Sequence, residues 1–429
     1  MDSMSQAPIL IRGGRIVDPV RRRDEQGDLY VVGGRIAPIP ESLPETCEEV
    51  DARGWIVAPG FWDIHVHLRE PGGEAAETIA SGSRAAVRGG FTTIVAMPNT
   101  SPPIDTPGRV TEVLQLGEAA GGARVLTTAC ITKGRAGTEV APLAGLAEAG
   151  AVAFTDDGST VQDDAVMRRA MIEAERLDVP IMDHAQDPHL EAQGVMHEGE
   201  ASRRYGLPGI PAYAEEKIVR RDMELAFETG CRVHIQHITA RGSVRILREG
   251  RVRGARVTGE LTPHHLALTD EDIDPADANY KMNPPLRTKQ DRDALWRGLV
   301  AGHIEVLATD HAPHTVEEKA RGFAAAPFGI IGLETAVGVT YSDLVQNGRM
   351  PVLEWVSRWT QSPARVLGLP PPALESGALA DIVIIDPGRA WTIDAAEMVS
   401  KSTNTPFHGR TVTGRVIRTL RRGETVWPE

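Results

Sequence analysis

The chain has 429 residues, of which 41% are hydrophobic and 24% charged, and a formal net charge of -13. Such a chain can bury one large core or two, and nothing in its composition favours disorder. The acidic balance excludes general binding to nucleic acid or to an anionic membrane surface, and no run approaches the ~18 consecutive apolar residues of a membrane span.

At the N-terminus, Met1-Asp-Ser-Met-Ser-Gln6 lacks the basic, apolar and small-residue order of a secretory signal, so the expected location is the cytoplasm. Short strands are expected at 9–17, 28–36 and 50–57, with Gly33-Gly34 as a hairpin turn and Arg21-Arg22-Arg23 in a solvated turn. From about residue 60, β-branched runs alternate with alanine-rich helical stretches. The runs are 61–67, 92–97, 124–129, 152–157, 179–184, 232–237, 256–261 and 303–310, eight in all. Eight βα units predict an α/β fold of the TIM-like (β/α)8 barrel kind, with its chemistry at the C-terminal strand ends. The tail returns to strands at 380–385, 410–418 and 425–427, so both chain ends are expected to pair in one small β-domain. The expected division is 1–59 with 370–429, and 60–369 for the barrel. Cys47, Cys130 and Cys231 are too few and too scattered for a disulfide framework and are read as reduced.

The strand ends concentrate one chemistry. His65 and His67 lie two apart on the first predicted strand and therefore share a face, so both imidazoles reach one cation. Asp156 and Asp157 end the fourth, His184 the fifth, His237 the sixth and Asp310 the eighth. Four imidazoles and two carboxylates suffice for two zinc-like ions that share a carboxylate and a water-derived hydroxide. Adjacent strand residues face opposite sides, so only one of Asp156 and Asp157 points to the mouth.

The segments Asp63-Ile-His-Val-His-Leu-Arg-Glu-Pro-Gly72, Met97-Pro-Asn-Thr100, Phe154-Thr-Asp-Asp-Gly158 and Ala308-Thr-Asp-His-Ala-Pro-His314 resemble the dihydroorotase family of the amidohydrolase superfamily. Thr262-Pro-His-His265, Asn283-Pro-Pro-Leu286 and Phe328-Gly-Ile-Ile-Gly-Leu-Glu334 fit the same family. The resemblance implies a barrel with a composite β-sandwich and two zinc ions per chain. It implies His65, His67 and Asp310 as ligands of the more buried ion, and His184 and His237 as ligands of the second. Many superfamily members bridge the ions with a carboxylated lysine, but no lysine lies between residues 152 and 157. The chain resembles the branch in which an aspartate of the Asp-Asp-Gly motif, here Asp157, bridges together with a hydroxide.

The implied reaction is the reversible interconversion of N-carbamoyl-L-aspartate and L-dihydroorotate in de novo pyrimidine synthesis. In it the bridging hydroxide attacks the ring carbonyl and Asp310 serves as general base and then acid. Arg69, Asn99 and His314 resemble the clamp for the substrate carboxylate, while Asn283, Phe328 and Gly329 resemble the contacts to the ring. The resemblance further implies a homo-oligomer such as a dimer, and aspartate carbamoyltransferase as a candidate partner. Two other readings are weighed: another cyclic amidohydrolase (dihydropyrimidinase, hydantoinase or allantoinase), from which Arg69 is the discriminator, and an inactive scaffold for the carbamoyltransferase. His264 and His265 cannot both face the mouth, and His311 is read as support for the loop of His314. His189, His197, His234, His303 and His408 are read as surface or packing residues, and Lys133, which follows the third run, as either a support behind the mouth or solvent-facing.

Overall fold

The computed structural model describes residues 7–428. The leader expectation rests on Met1 to Gln6, which lie outside the described residues. Eight parallel segments form the barrel: Phe61–Val66, Phe91–Ala96, Arg124–Thr127, a bridge at Phe154, Ile181–Asp183, Val233–Ile235, Val257–Leu261 and Val306–Leu307. Their order in the sheet follows the chain, and a bridge between Val66 and His311 closes the ring.

Most segments are shorter than their expected runs, those at 124–129, 179–184 and 232–237 included, and the runs at 152–157 and 303–310 shrink most. Around Phe154 the backbone still bonds to both neighbours, but Asp156 turns its carboxylate onto the Ile131 and Thr132 amides and Gly158 (φ 75) bends the chain away. In the eighth, the His303 and Ile304 amides return to the Gly298 carbonyl, and the Thr309 amide bonds the Asp63 carboxylate instead of a strand. Side chains and a helix end thus compete with the ladder at each place.

The intervening helices start where the local chemistry permits. Thr78 caps Ile79–Arg88 through a reciprocal box with Ser81, and Asp163 caps Asp164–Arg176 by accepting from the Ala165 and Val166 amides. The second helix buries Val166, Met167, Ala170, Met171 and Ala174, one face at helical spacing. Phe61, at the start of the first barrel strand, packs edge-on against Trp355 (centroids 5.3 Å) and stacks on Trp359 (6.3 Å).

Both chain ends meet in an eight-stranded sheet. From one edge the order is Glu424–Pro428, Thr411–Arg421, Ile382–Thr392, Ile56–Pro59, Ile9–Asp18, Arg23–Val32 and Arg35–Ala37, with Glu48–Asp51 also paired to Ile9–Asp18. Register shifts at Ile11/Gly14 and Asp386/Ala390 let the sheet fold over one apolar face, which gives the β-sandwich. The strand period decides what each residue covers. Val57, Ile382 and Ile384 fill the sandwich core, whereas Ile56, Ala58, Val383 and Ile385 pack with the barrel core. Arg21 and Arg22 lie in the turn before Arg23–Val32, and Gly33-Gly34 turns the chain into Arg35–Ala37. Cys47, Cys130 and Cys231 are unpaired.

Candidate metal centre

The two-residue spacing on Phe61–Val66 and its continuation brings His65 and His67 to one end of the barrel, where Asp157, His184, His237 and Asp310 join them. Nε2 of His65 is 3.4 Å from Asp157 Oδ1 and 3.4 Å from Asp310 Oδ1. Nε2 of His67 is 3.1 Å from Asp310 Oδ1 and 3.5 Å from Asp157 Oδ2. Nδ1 of His184 lies 2.9 Å from Nε2 of His237 and 3.8 Å from Asp157 Oδ1. All six side chains are buried.

Among the described residues, the donor atoms form three groups within 4.8 Å: His65 with His67 and Asp157, Asp157 with His184 and His237, and His65 with His237 and Asp310. Asp157 belongs to two of them. Its neighbour Asp156 is spent on Ile131 and Thr132 and takes no part. His237 (φ 30), Asp310 (φ 49) and Arg69 (φ 59) hold left-handed backbone without being glycine, a cost that tends to collect where geometry is dictated by function.

The residues fit metal ions. Nε2 of His65, Oδ1 of Asp157 and Nδ1 of His237 are buried without a hydrogen-bond partner, a costly state for atoms that are good metal donors. Burial works against charge on His65, yet Asp310, Glu260 and Asp157 together hold its pKa well above the ordinary value. Burial alone would raise Asp157 and Asp310, but His65 and its fellow imidazoles hold both carboxyls far below their usual range. Burial, then the charge of His184, pushes His237 down to about 3. Buried carboxylates that draw a proton onto an imidazole are a site in want of cations.

Sequence reasoning missed the supports. Glu260 is fully buried; its Oε1 lies 2.6 Å from Nδ1 of His65 and its Oε2 3.0 Å from Nε2 of His234. The bond fixes which His65 nitrogen faces the centre. A lone carboxylate inside Val257–Leu261 was the available signal, because it is tolerated there only with a cationic or donor partner. His234 is thus a buried partner of Glu260, with its other nitrogen 2.8 Å from Thr258 Oγ1. Asp63 accepts from the amides of His65 and Thr309, tying the first strand to the eighth.

A cavity of about 330 Å³ opens above the centre, within the range of small-molecule sites. His67, Asp157, His184, His237 and Asp310 line its floor, with His65 beneath, and Arg69, Asn99, Asn283, His314, Phe328 and Gly329 line its walls. Arg69 Nε donates to the Pro313 carbonyl at 3.0 Å and a terminal nitrogen lies 3.3 Å from His314 Nε2. Burial lowers the Arg69 pKa, and burial with Arg69 beside it pushes His314 down to about 4. Asn99, read as part of the carboxylate clamp, turns its amide to two residues of the centre: its oxygen is 2.9 Å from His67 Nδ1 and its nitrogen donates to Asp157 Oδ2 at 3.0 Å. Asn283 lies 2.9 Å from Gln186 and 3.5 Å from His184.

The remaining histidines separate. His265 is occupied by Thr262 and the Pro284 carbonyl, whereas His264 keeps a buried Nε2 without a partner. His311 sits between Glu77 and the Gly332 amide. Lys133 is exposed and pairs with Glu139.

The model of the Dihydro-orotase-like family matches residues 54–243. Dihydroorotase of Pelotomaculum thermopropionicum is 49% identical over 419 residues, 97% of this chain and 98% of that protein. Dihydroorotase of Anoxybacillus flavithermus is 48% identical over 415 residues, 95% and 97% of the two chains. Among solved structures, the L-hydantoinase of Arthrobacter aurescens shares the fold at a TM-score of 0.87, with 24% identity over 99% of this chain and 96% of that one. D-hydantoinase of Bacillus sp. AR9 follows at 0.82, with 26% identity over 98% and 95%. With dihydroorotases nearly half identical along almost its whole length, the chain belongs to the dihydroorotase family of amidohydrolases.

Proposed function

We propose that the chain interconverts N-carbamoyl-L-aspartate and L-dihydroorotate in pyrimidine synthesis, with His65, His67, Asp157, His184, His237 and Asp310 holding two zinc ions and Asp157 between them. The observation that carries the reading is the pairing of a metal-ready floor with the Arg69 and His314 wall across one cavity. A donor set dominated by imidazole nitrogen suits zinc. Bound there, the ions would lower the pKa of a shared water toward neutrality and polarise the ring carbonyl.

The chain's own residues would do the rest. The Asp310 carboxylate, kept ionised by the imidazoles around it, takes the proton of the attacking water and returns it to the departing ring nitrogen. Arg69 offers the substrate carboxylate two parallel N–H donors, a geometry that lysine cannot match. His314 and Asn99 border the same end, with Asn99 also orienting His67 and Asp157. Asn283 and the backbone at Phe328 and Gly329 face the ring.

We further propose that residues 1–59 with 370–429 form one domain and 60–369 the other, and that the enzyme works in the cytoplasm as a homo-oligomer. Free cysteines and the absence of any membrane-crossing helix among the described residues accord with that location. Gel filtration with and without aspartate carbamoyltransferase tests for that partner. For the reaction, purified metal-loaded protein should open dihydroorotate and leave dihydrouracil almost untouched. Equal turnover of the two would favour a dihydropyrimidinase, and turnover of neither a scaffold.

A further inference from the structure

Lys319 ends the short helix Val316–Lys319, whose start is fixed by the reciprocal cap between Thr315 and Glu318. Only 8% of it is exposed, which is unusual for a lysine. Its ammonium donates to two backbone carbonyls from different segments, Lys281 at 3.2 Å and Pro327 at 3.1 Å. The Lys281 carbonyl also accepts from the Gly329 amide at 3.0 Å. One of these segments runs into Asn283 and the other into Phe328 and Gly329, all of which line the cavity above the metal centre. The Lys281 side chain adds to the same junction: its Nζ lies 4.5 Å from the Phe328 ring centre and donates to the Ala324 carbonyl at 2.9 Å.

Resting on the proposed reaction, we propose that Lys319 is a positioning residue for the ring-facing wall, tying the segment of Asn283 to the segment of Phe328 and Gly329. It is not among the residues that line the cavity. As an ammonium it makes charge-assisted bonds to both carbonyls, roughly twice as strong as those of a neutral amine. Loss of its proton therefore loosens both ties at once. Burial, with Lys281 beside it, pushes Lys319 down to about 7. Lys281 and Asp277 face it from one segment, and Glu318 and His314 from its own loop. Pro327, Phe328 and Gly329 bring no titratable side chain. The wall thus tightens and slackens within the working pH range, and KM for the cyclic substrate changes more than kcat.

The test is steady-state hydrolysis of dihydroorotate between about pH 6 and 8.5, by wild type, Lys319→Met and Lys319→Arg. Wild-type KM should rise about five-fold with a midpoint near 7. Lys319→Met should show a KM about ten-fold higher and flat across the range, and Lys319→Arg, which stays charged, a low KM without the transition. The shape of the kcat profile should be common to all three. A wild-type KM that is flat, or a transition that survives in either variant, overturns the role. Should Lys319→Met fail to fold, as melting and metal content would reveal, the wild-type and Lys319→Arg profiles decide. Absence of wild-type turnover sinks the assigned reaction and this role with it, whereas turnover with a KM indifferent to residue 319 sinks the role alone.

Discussion

Glu260 Oε1 lies 2.6 Å from Nδ1 of His65, and neither side chain is exposed. The carboxylate sets the tautomer of His65 and raises its donor strength toward a cation at Nε2. Glu260→Gln keeps the volume and removes the charge, and should weaken metal binding by roughly 10–100-fold with the fold retained. Competition against a chromogenic chelator measures it; an affinity equal to wild type would leave the contact without a role at the centre.

Asp157 is shared by two donor groups, so its removal should affect both ions while loss of His184 affects one. Elemental analysis of freshly purified Asp157→Ala should give about one metal or less per chain, and His184→Ala about one, against about two for wild type. Two ions in Asp157→Ala would contradict the bridging assignment.

Arg69→Ala should retain metal and lose dihydroorotate binding. Truncating one partner of a buried, hydrogen-bonded charge pair costs on the order of 2–5 kcal/mol, so KM should rise at least ~30-fold. Parallel assays of metal content separate this loss from collapse of the centre.

His197 carries a pH prediction away from the metal. It is buried with Nδ1 3.2 Å from Arg287, and burial, then the charge of Arg287, lowers its pKa to about 4. The unfolded chain therefore binds the proton more readily than the folded one. The contribution is complete above the unfolded pKa of ~6.5 and is lost as pH falls through the folded value. Urea midpoints should decline across that window, and His197→Gln should flatten this part of the decline.

Much of the site was legible because the donors are punctuation on a regular pattern. His65, His67, His184, His237 and Asp310 stand at or just past the ends of apolar strands, and the barrel brings such ends together. Alternation allowed only one of Asp156 and Asp157 at the mouth and the resemblance favoured Asp157; the structure commits Asp156 to the Ile131 and Thr132 amides. Less legible was whatever depends on partners distant in sequence. Glu260 reaches His65 across 195 positions, and Lys319 ties two loops through their carbonyls, for which no side-chain motif exists. The fourth and eighth strands were overextended for a related reason: β-branched residues promise a ladder, but the Asp63 and Asp156 carboxylates claimed the amides first.

Ile56–Pro59 is held on one side by Arg15 and Ile16 and on the other by Ile382 to Ile385, and it stands one residue ahead of the strand that carries His65. A ribosome must therefore finish nearly the whole polypeptide before this anchor gains its second neighbour. The strand just ahead of His65 thus gains its second neighbour only late in synthesis, and a translation product cut short before residue 382 would leave that edge of Ile56–Pro59 bare.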